Sequence, residues 1–171
     1  MKNTKRLCLC AVLCAAALTV FVIEAQLPLP LPVPGVKLGL SNIFTLFALI
    51  YLTPREAAAI LLIRIILGTI FVGQPSVLLY SLSGGILCLI GEIILIRLIG
   101  KKFICEISIF GAMLHNTAQI ICAALITDTP SVFWYLPPLL IAAALTGAFC
   151  GLCILGLDKA YGARIQKMIK K

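Results

Sequence analysis

Acidic residues are scarce in this chain: two Asp and four Glu among 171 residues, scattered rather than clustered. There is one histidine, so a histidine-rich metal centre is excluded. No glycine-rich loop ending in Lys-Ser or Lys-Thr appears, which excludes an ATPase of the P-loop type. Tryptophan occurs once, and aromatics make up 8%. Long polar stretches are missing as well. What fills the chain instead is apolar sequence: 62% hydrophobic, 12% charged, with mean hydropathy +1.16. A soluble domain of this size cannot keep that much apolar surface from water. A bilayer can, and the composition predicts an all-α membrane protein.

Crossing ~30 Å of hydrocarbon takes about 20 apolar residues. Six candidate spans follow, at 7–27, 38–53, 56–72, 76–99, 106–127 and 132–157, forming a single transmembrane domain. The first is read as a retained helix rather than a cleaved signal, because its apolar run is long and Glu24-Ala25-Gln26 is a poor cleavage context. Pro28, Pro30, Pro32 and Pro34 then stiffen an extended loop. With the N-terminus inside and six crossings, Lys2, Lys5, Arg6, Arg55, Arg97, Lys101, Lys102, Lys159, Arg164, Lys167, Lys170 and Lys171 all fall on the cytoplasmic side. Only Lys37 falls outside, and Arg64 lies within the membrane. Both termini are therefore expected in the cytoplasm of a bacterial-type plasma membrane. Anionic lipid head groups account for the net charge of +8, so no nucleic-acid partner is invoked. The eight cysteines sit in or beside apolar spans and read as packed, reduced thiols. Neither a metal nor a cofactor is expected.

Ionisable groups inside a span cost about 2.5–3.5 kcal/mol each on insertion scales, so each needs a reason. Arg64 has two readings: an ion pair with Glu92 in the next helix, or a ligand for an anionic or oxygen-rich solute. His115, Asn116 and Gln119 place three hydrogen-bonding side chains within about one helical turn, with His115 and Gln119 on one face. They serve either as links between helices or as the wall of a cavity. The loop entering the second span carries Lys37 and Asn42 and is a candidate lid or solute clamp. Small residues supply packing: Ala11 and Ala15 on the first helix, Gly84-Gly85 and Gly91 on the fourth, Gly147 and Gly151 on the sixth. Spacing does not say whether these faces meet neighbours in the chain or a partner protein.

The stretch PVPGVKLGLSN at 32–42, the HNTAQ run at 115–119 and the six-helix layout resemble the Gx transporter family, often labelled heptaprenyl diphosphate synthase component I. More distantly, the layout is similar to the substrate-binding S components of energy-coupling factor transporters. That resemblance implies a small-molecule solute bound near the outer side, at Lys37, Asn42, Arg64, His115, Asn116 and Gln119. It also implies that Ala11 and Ala15 dock a transmembrane coupling subunit working with ATPases. The family label implies an alternative, a non-catalytic membrane component of prenyl diphosphate synthesis. Prenyl chain elongation needs clustered carboxylates to hold magnesium ions. Asp128 and Asp158 are far apart in sequence, so this chain is not expected to be an enzyme.

Overall fold

In the computed structural model, which describes residues 2–26 and 37–170, the described residues form six α-helices and a 3-10 segment. They are α1 (Lys2–Gln26), α2 (Asn42–Tyr51), α3 (Pro54–Val72), α4 (Pro75–Ile99), α5 (Ile104–Thr127) and α6 (Leu136–Lys170), with the 3-10 segment at Pro130–Tyr135. The proline-rich stretch at 27–36 lies outside the described residues. Four of the helical stretches are long and apolar enough to cross a membrane: Thr4–Gln26, Pro75–Ile99, Ile104–Thr127 and Pro130–Met168. Outward-facing residues such as Ile70, Leu98, Leu125, Ile141 and Leu152 are apolar, as a lipid-facing surface requires.

Two elements depart from the expected spans. The stretch 38–53 is not a continuous helix: residues 37–39 are extended or irregular, and α2 starts only at Asn42. With 10 residues it is ~15 Å long, about half a bilayer. Gly39 takes a φ of +84°, which ends any helical path through it. Irregular backbone is tolerated at membrane depth where protein surrounds it. That condition is met, because α2 touches all five other helices and seven of its ten residues are buried. The last helix, in turn, outruns its expected span, since α6 continues to Lys170 as a basic extension.

α5 is the spine, packed along α4 on one side and α6 on the other. A Cβ on Gly147 would lie 2.6 Å from the Ile109 Cα, and one on Gly151 would lie 2.7 Å from the Cys105 Cα. These glycines therefore bring α6 backbone to backbone with α5 inside the chain. α1 packs chiefly on α3. The capping box at Thr53 and Glu56 starts α3, with Pro54 in its first turn, and Arg6 of α1 pairs with Glu56 at 2.8 Å.

The basic residues gather at one end of the bundle. Arg6, Arg55 and Arg97 line one surface pocket, and Lys5 lies with Met168 beside another. Lys101 donates to the Leu49 and Ile50 carbonyls, capping the C-terminus of α2 where a cation is favoured. Burial pulls the Lys101 ammonium below the ordinary lysine range. Tyr51 donates to Asp158 at the same end.

Candidate functional site

Among the described residues, twelve polar or charged side chains are buried: Glu24, Lys37, Ser41, Asn42, Thr45, Arg64, Ser81, Glu92, Ser108, His115, Asn116 and Gln119. Most converge where the end of α1, the 37–41 segment, the start of α2 and the middles of α3 and α5 meet.

Arg64 is 1% exposed and donates through Nη1 to Ser41 Oγ and through Nη2 to Asn42 Oδ1 at 2.9 Å. No ion pair with Glu92 forms. The break ahead of α2 brings Ser41 and Asn42 to the guanidinium and supplies neutral acceptors there. A guanidinium only donates, so the Asn42 atom facing it is the carbonyl oxygen, which leaves Nδ2 without a partner. Arg64 Cζ lies 5.9 Å from the Phe21 ring centroid and Lys37 Nζ lies 3.2 Å from it, so one α1 aromatic ring serves two cations.

Lys37 is not an exposed loop cation: it is 4% exposed. Its ammonium donates to the Phe21 carbonyl at 3.4 Å, and its backbone N–H donates to Gln119 Oε1 at 3.1 Å. The cause is Glu24, 2% exposed, whose Oε1 accepts the N–H groups of Gly39 and Leu40 and draws the segment into the bundle.

The α5 residues divide. Because Gln119 Oε1 accepts from Lys37, its Nε2 is the donor to His115 Nε2, 2.9 Å away. His115 Nε2 is then an acceptor, and the proton of this neutral ring sits on Nδ1. The ring lies between glycines: a Cβ on Gly84 would be 2.8 Å from His115 Nδ1, and one on Gly39 would be 2.9 Å from its Cδ2. Asn116 turns the other way and donates to the Leu139 carbonyl of α6 at 3.2 Å. So Lys37, Asn42, Arg64, His115 and Gln119 come together, whereas Asn116 links α5 to α6 at the edge. Glu24, Phe21 and Ser41 are members of the cluster that the sequence reading did not include. Glu24 was detectable as a lone acid at the end of an apolar helix.

Several buried atoms here have no partner among the described residues: Glu24 Oε2, Asn42 Nδ2, Arg64 Nε and Asn116 Oδ1. Unsatisfied groups of this kind cost about 1–3 kcal/mol each.

Ala11 and Ala15 lie elsewhere. They are exposed and line an apolar groove of about 670 Å³ between α1 and α3, together with Leu18, Ala59, Ile63 and Leu67. The groove ends at the Arg6–Glu56 pair.

Long apolar helices around a buried polar cluster define a membrane-embedded helical protein. The chain belongs to the heptaprenyl diphosphate synthase component I family, whose sequence profile matches residues 13–157. No curated protein and no solved structure matches it.

Proposed function

We propose that this protein is the membrane-embedded solute-binding subunit of a transporter, similar to an S component, for a small nutrient or cofactor precursor. The observation that carries the reading is the buried cluster of Glu24, Lys37, Asn42, Arg64, His115 and Gln119, built around an interrupted helix and holding unpartnered atoms. Transporters place solute sites where broken helices expose backbone and polar side chains inside the membrane. Two cations around one aromatic ring favour an anionic or oxygen-rich solute. Asn116 extends the site towards α6. The 37–41 segment, held by Glu24, moves to admit the solute. The basic end faces the cytoplasm of a bacterial-type plasma membrane, against anionic lipid, with both termini there. A helix of a coupling subunit seats in the α1–α3 groove at Ala11 and Ala15, and ATPases supply the energy.

The family name favours a second reading, a non-catalytic membrane component of heptaprenyl diphosphate synthesis. Six scattered acids make prenyl transfer by this chain itself a poor fit. Melting curves of purified protein against a panel of water-soluble vitamins and cofactor precursors test the first reading. A solute that stabilises wild type and not Arg64→Ala supports it. If no panel member stabilises the protein and a prenyl synthase co-purifies with it, the second reading holds.

A further inference from the structure

A second polar feature lies beside the solute cluster, where α4, α5 and α6 meet the start of α2. Glu92 of α4 is 2% exposed, and its Oε1 meets only the Cys88 thiol, at 3.5 Å. Its Oε2 has no partner among the described residues. Gly111 of α5 makes room for the carboxyl, since a Cβ there would fall 2.7 Å from Oε1. Next to it is a void of about 10 Å³, lined by Glu92, Asn42, Ser108, Thr146, Gly39 and Cys150 among others. That is about the size of one water.

An ionised carboxylate at this depth needs a cation or several strong donors. Neither is present at bonding distance, because Arg64 spends its Nη groups on Ser41 and Asn42. The titratable or charged groups near Glu92 are Cys88 on its own helix, Arg64 on α3 and Cys150 on α6. From α2 and α5 it is faced by Asn42 and Ser108, which do not titrate. The unpartnered atom of Asn42 is an N–H donor, which suits a water and repels a metal ion. A water in the void can accept from Asn42 Nδ2 and exchange a hydrogen bond with Glu92 Oε2.

We propose that Glu92 is a proton-binding site: its carboxyl carries a proton in the membrane-embedded protein, and one water in the adjoining void joins it to Asn42. Arg64, Asn42, the water and Glu92 then form one chain, so the proton site is coupled to the Arg64 cluster. The proton comes from solvent, no covalent bond to carbon changes, and release leaves a carboxylate. This site does not depend on the solute reading, and its test needs no solute.

Infrared spectra of the protein in liposomes at neutral pH, in light and heavy water and with sodium or choline as the cation, decide the matter. The expected result is a carboxylic-acid carbonyl band that shifts in heavy water, is missing from Glu92→Gln, persists in Glu24→Gln and is the same in both salts. A band unchanged by Glu92→Gln overturns the proposal, as does a band lost on adding sodium, which would make this a cation site. Should Glu92→Gln fail to fold, the wild-type unfolding equilibrium is measured against pH. A group protonated only in the folded state loses stability as pH rises, so the unfolding constant should climb by about tenfold per pH unit. A flat profile overturns the proposal.

Discussion

The two halves of the bundle are held by different physics. Along α5 and α6, contact is made by backbone meeting backbone, with Gly147 and Gly151 seated against Ile109 and Cys105. Ahead of α2, whose apolar residues pack in the main core, the 37–42 segment is held by single hydrogen bonds: Arg64 donates to Asn42, and Glu24 and Gln119 accept the N–H groups of Leu40 and Lys37. Close packing has one low-energy arrangement and resists displacement. A set of hydrogen bonds between polar side chains and an irregular segment can be exchanged for bonds to a ligand at little net change. The packed half is the frame, and the polar half is the part that rearranges more easily.

Overfilling the frame has the largest expected effect. Gly147→Leu pushes a side chain into the α5 backbone and should destabilise the protein by about 3 kcal/mol, measured by denaturant titration in micelles. A loss within 0.5 kcal/mol would mean that α6 is not seated as described.

Next comes Arg64→Ala, which removes the donor that holds Ser41 and Asn42. A stability loss of about 1.5–3 kcal/mol is expected. Adding Glu92→Gln should not restore it, because the two residues are not paired. Full rescue by the double variant would restore the ion-pair reading.

Glu24 offers a finer probe. Glu24→Gln keeps an acceptor for Gly39 and Leu40 and should cost about 1 kcal/mol or less, whereas Glu24→Ala should cost about twice as much. Equal losses would show that the negative charge, rather than the hydrogen bonds, anchors the segment.

Ala15→Trp should change stability least, within about 0.5 kcal/mol, because Ala15 faces outward into the groove. The same variant should abolish co-purification of a coupling subunit. Retained co-purification would remove the groove as the docking face.

Much of the cluster was legible in the sequence because the membrane makes polar residues conspicuous. Arg64, His115 and Gln119 stand out against apolar neighbours, and all three are buried and joined. The interruption before α2 was not legible, since Leu38-Gly39-Leu40 continues the apolar run and only Gly39 and Ser41-Asn42 hint at a break. Partner choice was hidden as well. Arg64 and Glu92 have opposite charge and similar depth, yet the segment that inserts between helices supplies the nearer acceptors. Asn116 shares a turn with His115, but its different angle around α5 sends it to α6.

Hydrogen exchange by mass spectrometry on the solute-free protein in lipid discs tests the contrast most directly. Peptides covering 37–41 should exchange faster than those covering 105–123 and 139–157, because their segment is held by separable hydrogen bonds rather than by backbone packing. Protection of 37–41 equal to that of the α5 and α6 peptides would contradict the account, since the polar segment would then be as fixed as the frame.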